Sequence, residues 1–92
     1  MSILARFTPA NLDKQRYDDV NRRLEENGDG APDGRLLHVC FGEEGSLRVS
    51  EIWESREQME AFRERLMPVL EEVGVEMGAP PEFLPVVSLV EG

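Results

Sequence analysis

Arg35 to Glu54 reads RLLHVCFGEEGSLRVSEIWE, and the way this stretch folds back on itself decides the arrangement around it. Two runs rich in Leu, Val, Ile and aromatic residues flank Gly42-Glu43-Glu44-Gly45, the signature of two strands joined by a short turn. The first run, Arg35 to Phe41, and the second, Ser46 to Glu54, therefore form a hairpin. A three-residue connection fits, with Glu43 and Glu44 in a type I turn and Gly45 left-handed. That register pairs Phe41 with Leu47, Val39 with Val49 and Leu37 with Glu51. It gathers Leu37, Val39, Phe41, Leu47, Val49 and Trp53 on one face, and Leu36, His38, Cys40, Arg48, Ser50 and Ile52 on the other. A two-residue connection slips the pairing by one and sets His38 beside Trp53 instead. The first register is preferred because it separates apolar from mixed residues more cleanly.

Upstream, Ser2 to Thr8 is a short apolar strand that Pro9 ends, with Ile3, Ala5 and Phe7 on one face and Leu4 on the other. Asp13 is an N-cap for a first helix, and Leu12 with Tyr17 matches a hydrophobic staple. Tyr17, Val20 and Leu24 then recur at helical spacing. Asp18/Arg22 and Asp19/Arg23 are i,i+4 pairs on the wet side. Asn27 to Gly34 is a cluster of breakers, hence a loop. Downstream, Ser55 and Gln58 form a capping box. The second helix carries Met59, Phe62, Leu66, Val69, Leu70 and Val73 as its apolar stripe. Pro68 is expected to kink or split it, and Gly74 to end it. Gly78 to Pro81 is loop. Glu82 to Val90 is a fourth strand, which Pro85 marks as an edge strand or a bulged one.

The order β-α-β-β-α-β predicts an α+β domain of ferredoxin-like type spanning residues 1–92, with a four-stranded antiparallel sheet and two helices on one face. At 92 residues there is room for one core and no separate cofactor domain. Two helices cover one side of the sheet only, yet the strands are apolar on both. A bare second face would forgo several kcal/mol at about 25 cal/mol per Å² and leave an unusually large apolar patch. A second copy packed sheet against sheet is the economical remedy, so a homodimer is expected.

The small counts exclude much. Nineteen acidic against ten basic residues give a net charge of −9. Nucleic acid and anionic membrane are poor partners for such a surface. One cysteine, Cys40, cannot form an internal disulfide, and one histidine, His38, two residues away supplies no metal cluster. No metal and no cofactor are expected. The beginning of the chain carries no secretory leader pattern, and no run is long enough to span a membrane, so a cytoplasmic location is expected.

With this element order, Ile52-Trp53-Glu54-Ser55 running into a capped helix with Met59 and Phe62 resembles the dimeric α+β-barrel superfamily, in particular its antibiotic-biosynthesis monooxygenase-like branch. Leu36-Leu37-His38-Val39 is similar to a Leu-Leu-x-His-Val strand in small bacterial proteins of that group, here without the spacer. The resemblance implies a symmetric dimer whose sheets form a barrel, with a pocket in each protomer between sheet and helices. Some such proteins oxidise aromatic polyketides without metal or flavin, others degrade haem, and others cyclise, isomerise or dechlorinate. The haem-degrading branch has an Asn on the first strand, and a Trp nine and a His nineteen residues after the position of Trp53. Here those last two positions hold Phe62 and Glu72, and the first strand has no Asn, so haem degradation is disfavoured.

Within that frame His38 is the candidate general acid or base, against the plainer role of a hydrogen-bonded structural histidine. Tyr17, Trp53, Met59 and Phe62 are candidates to line an apolar ligand pocket, though each also serves as a core residue. Arg48, on the same face as His38 in the preferred register, is a candidate to hold a ligand anion, although Glu51, or Glu54 across the dimer, could serve as its counter-charge instead. Cys40 could be a nucleophile if its pKa were lowered, but on an apolar strand with only Arg48 placed nearby buried filler is the favoured reading. Adjacent acidic pairs such as Glu71/Glu72 point about 100° apart on a helix and are solvated charge. Two functions remain open. One is a cofactor-independent enzyme or binder of a small apolar or aromatic molecule, which a cavity above about 300 Å³ containing His38 would support. The other is a non-catalytic dimeric interaction module.

Overall fold

Only Glu44 and Gly45 close the central hairpin. The computed structural model describes residues 1–92. It has the order β1 (Ile3–Thr8), α1 (Lys14–Glu26), β2 (Arg35–Glu43), β3 (Ser46–Trp53), α2 (Arg56–Val73) and β4 (Ala79–Pro85). The four strands form one antiparallel sheet in the order β2-β3-β1-β4, the expected ferredoxin-like arrangement.

The hairpin register differs from the expected one. Glu43 pairs with Ser46, Phe41 with Arg48, Cys40 with Val49, Val39 with Ser50 and His38 with Glu51. The strand runs on through Gly42 and Glu43, so the connection is shorter by one residue than expected. Glycine makes this possible: Gly45 has φ +84° and Gly42 φ +109°, values that side-chain-bearing residues rarely adopt. Slipping by one turns β2 over. His38 and Cys40 now face the helices with Leu47, Val49, Glu51 and Trp53. Leu37, Val39 and Phe41 face away from them, beside Arg48, Ser50 and Ile52. A register shift between Arg35 and Leu37 places Arg35 opposite Trp53, returning Arg35 to the helix side as bulges do.

Both helices start where their caps dictate. Asp13 accepts the Arg16 amide at 2.8 Å, and Leu12 behind it is buried. Ser55 Oγ accepts the Gln58 amide at 3.2 Å and donates to Gln58 Oε1 at 2.9 Å. On α1 the expected Asp18/Arg22 pair is replaced. Asp18 takes Lys14, Asp19 takes both Arg22 and Arg23, and Arg22 also reaches Glu26. α2 does not split at Pro68 but continues to Val73. The carbonyl that loses its partner belongs to Glu64, an exposed residue that water can serve. Gly74 ends α2 in the left-handed conformation, as expected.

The fourth strand is displaced relative to expectation: it begins at Ala79 and ends at Pro85. Its partner sets the limit. Pro85 lies opposite Ile3, the first residue of β1. One further bond, from the Val86 amide to the Ser2 carbonyl at 3.0 Å, exhausts what β1 offers. Val87 and Val90 therefore stay exposed. Pro80, Pro81 and Pro85 are tolerated because β4 is the sheet edge.

Trp53, Phe62, Met59, Val20, Leu24 and Ala5 centre the core between sheet and helices. On the opposite face Leu37, Ile52, Leu4 and Leu84 stand in one cross-strand row spanning all four strands. Leu37 and Leu84 are nearly half exposed. The chain presents 5964 Å² of surface, about a tenth more than the roughly 5,400 Å² expected of a folded monomer this size. No helix is long and apolar enough to cross a membrane.

Candidate functional site

Glu51 is the one buried charged side chain, at 5% exposure. A carboxylate there survives only if its oxygens are fully engaged, and they are. Trp53 Nε1–H donates to Oε1 at 3.1 Å. His38 Nδ1 lies 2.6 Å from Oε2, and Arg35 Nη1 donates to the same oxygen at 3.4 Å. Arg35 is held in turn by the Gly30 carbonyl at 3.2 Å and lies over the Phe62 ring, 5.8 Å from its centroid.

The chain of contacts continues from His38 Nε2 to the Tyr17 hydroxyl at 2.7 Å. The two rings lie 15° from parallel with centroids 5.9 Å apart. Against the Glu51 carboxylate, Nδ1 carries a proton, which leaves Nε2 to accept from Tyr17 when the imidazole is neutral. Protonated, Nε2 donates to the Tyr17 oxygen instead. Tyr17, His38 and Glu51 thus form a continuous proton path from a buried carboxylate to a hydroxyl. The sequence builds this path from three elements: the first turn of α1 and facing positions of β2 and β3.

The path opens onto a cavity of about 100 Å³ between the sheet and the two helices. Its walls are mostly apolar, with Phe7, Val49, Leu66 and Met67 among them, and Tyr17, His38, Met59 and Phe62 all reach it. Of the expected pocket residues two stand elsewhere. Trp53 is fully buried in the core, behind Glu51 rather than on the cavity wall. Arg48, expected beside His38, lies on the opposite face of the sheet with its guanidinium 5.1 Å from the Phe41 ring. The register slip is the reason for the second displacement. Burial, with the Asp18 charge second, pushes the Cys40 thiol above its usual range, which keeps it an unreactive neutral group near neutrality. No three His, Cys, Asp or Glu side chains converge in a way that could hold a metal ion.

Neither Glu51 nor Arg35 is among the site residues expected from the sequence, where Glu51 figures only as a counter-charge for Arg48. The signal was present: Glu51 is in phase with Leu47, Val49 and Trp53, so it falls on a core-facing position. An acid at such a position is itself informative, because it must bring partners with it.

No family model and no curated protein matches the chain. Its fold nevertheless recurs in solved structures. A protein from Chloroflexus aurantiacus J-10-fl described as a candidate antibiotic biosynthesis monooxygenase superposes with a TM-score of 0.66 at 15% identity, over 100% of both chains. A variant of SnoaB, a cofactor-independent oxygenase from Streptomyces nogalater, superposes at 0.64 with 10% identity, over 99% of this chain and 96% of that one. The ActVA-Orf6 monooxygenase of Streptomyces coelicolor, solved with the ligand nanaomycin D, superposes at 0.58 with 13% identity, over 99% and 93%. The chain therefore has the fold of the antibiotic-biosynthesis monooxygenase-like proteins.

Proposed function

We propose that this chain is a homodimeric, cofactor-independent enzyme of monooxygenase-like type that binds a small apolar or aromatic molecule between sheet and helices. The observation that carries the reading is the Tyr17–His38–Glu51 path ending at an apolar cavity. Glu51 fixes the imidazole in one orientation. His38 Nε2, directly or through the Tyr17 hydroxyl, receives the proton of a phenol- or enol-type group held in the cavity. The apolar walls exclude water from the anion so formed. The fold is shared with an oxygenase described as cofactor-independent and with a monooxygenase solved with the ligand nanaomycin D, which supports oxygenation as the class of reaction. The cavity is small, about 100 Å³, and Met59, Met67 and Met77 on its wall are flexible enough to widen it for a ring.

The dimer belongs to the same reading. The apolar row Leu37–Ile52–Leu4–Leu84 would be covered by the same row of a second copy.

One observation favours the alternative of a non-catalytic dimeric interaction module: the cavity is smaller than the roughly 300 Å³ at which ligand pockets begin. Oxygen uptake with a panel of phenols and hydroxynaphthoquinones separates the two. On the enzyme reading at least one compound drives uptake, and His38→Ala lowers the rate on the order of 10²-fold or more. Unchanged uptake in His38→Ala would remove the proposed base. If no compound drives uptake, and native mass spectrometry of the purified protein finds no bound small molecule, the module is the better description.

A further inference from the structure

Nineteen carboxylates surround ten basic side chains in this protein, so an unpaired arginine is conspicuous. Lys14 and every arginine except Arg48 and Arg63 lie within ion-pair distance of an acid. Arg48 is occupied otherwise, lying over Phe41 on the open sheet face. Arg63 has neither an acidic partner nor a ring beneath it, and it lines the cavity. Its place follows from α2: Met59, Arg63 and Met67 are spaced four apart, so they form one stripe, and all three reach the cavity. Arg63 is a partly buried residue lining a cavity whose walls are mostly apolar, a setting in which a charge without a counter-ion is costly.

A second polar group lines the same cavity. Asn21 is one helical turn beyond Tyr17 on α1 and also lines the cavity. Its side chain makes none of the hydrogen bonds that engage the other polar residues there, whereas Arg35, His38, Glu51 and Tyr17 are all satisfied within the chain. The cavity therefore has two kinds of polar residue. Arg35, His38, Glu51 and Tyr17 are committed to partners within the chain, whereas Arg63 and Asn21, further along the two helices, have donors to spare.

We infer that Arg63, assisted by Asn21, is an anion-docking position, and that the ligand is an amphipathic acid: an apolar ring for the cavity with a carboxylate that pairs with the Arg63 guanidinium. The inference rests on the ligand-binding reading above and narrows its substrate class. A guanidinium matches a carboxylate bidentately, and the Asn21 amide adds a donor that a neutral ligand would not need. The overall charge of −9 repels anions from the molecule as a whole. A preference for an acid over its amide can therefore come only from a local cation.

The test compares 3-phenylpropionate with neutral 3-phenylpropionamide at low salt. Both are titrated into ¹⁵N-labelled protein, and the backbone amides of Phe62 to Met67 are followed by NMR. The acid should bind about tenfold more tightly than the amide. Arg63→Gln should abolish that preference while leaving amide binding unchanged, and Arg22→Gln, which removes the same charge from the outer face of α1, should preserve it. Equal binding of acid and amide by the wild type, or a preference that survives Arg63→Gln, overturns the assignment while the pocket itself stands. If neither compound perturbs these amides, the pocket reading fails and the Arg63 assignment fails with it.

Discussion

Replacing Glu51 tests whether the buried carboxylate is a structural keystone. Its two oxygens receive Trp53 at 3.1 Å, His38 at 2.6 Å and Arg35 at 3.4 Å. Glu51→Leu keeps the approximate volume and removes every acceptor. The Trp53 N–H is then buried without a partner, and Arg35, whose side chain is only 19% exposed, loses its counter-charge. Breaking such a pair from one side costs about 3–5 kcal/mol. For a domain of this size each kcal/mol is worth about 4–8 °C of Tm, so a fall of at least about 12 °C is expected. Glu51→Gln retains one acceptor oxygen but turns an amide N–H₂ toward a donor, and should cost about 1–3 kcal/mol. Urea unfolding followed by circular dichroism, at one fixed protein concentration, measures both. Trp53 is the only tryptophan, so its indole N–H gives a single NMR signal that reports the lost bond directly. A double variant, Glu51→Leu with Arg35→Leu, should recover part of the loss, because the orphaned cation goes with its partner. A Glu51→Leu protein as stable as the parent would refute the reasoning, for it would mean that the three contacts do no more than offset the burial of the charge.

The assembly and the thiol supply further tests. The native protein should sediment as a dimer at tens of micromolar, and Leu37→Glu combined with Leu84→Glu should weaken association by at least about 10²-fold, since two buried leucines contribute several kcal/mol; a wild type that sediments as a single chain would sink the sheet-to-sheet packing. Burial and the Asp18 charge hold the Cys40 thiol above its usual range. Iodoacetamide should therefore label the folded protein with an inflection at higher pH than the urea-unfolded chain. The sign for stability follows: the raised thiol favours folding fully below the unfolded-state value, and this contribution is lost as pH climbs through the native one. A native inflection at or below the unfolded one would contradict that placement.

How much of this was legible in the residues depends on which physical signal each part of the chain carries. Caps and stops are local, and Asp13, Ser55 and Gly74 could be read directly, because a helix end is decided within four residues. The end of β4 could not. Val86 to Val90 has strand-forming composition, and only the exhaustion of β1 at Ser2 and Ile3, far away in sequence, leaves it unpaired. The exchange of ion-pair partners along α1 was similarly invisible, since Asp18 had both Lys14 and Arg22 within one turn and composition does not choose between them.

The hairpin is the most instructive case, because the criterion that misplaced it was sound for a different kind of sheet. Sorting apolar residues onto one face assumes one dry side and one wet side. Here Leu37, Val39 and Phe41 belong to the face away from the helices, which carries large apolar residues as well, beside Arg48 and Ser50, so hydrophobicity was a poor guide to which way β2 turns. Polarity carried it instead. Glu51 lies in phase with Trp53, and a carboxylate on the helix side needs donors from the facing strand. Only the two-residue turn at Glu44 and Gly45 supplies one, because it alone brings His38 opposite Glu51. In a sheet with large apolar residues on both faces, the register is read from the polar residue that must find its partner, and the same pairing that satisfies Glu51 assembles the proton path to Tyr17.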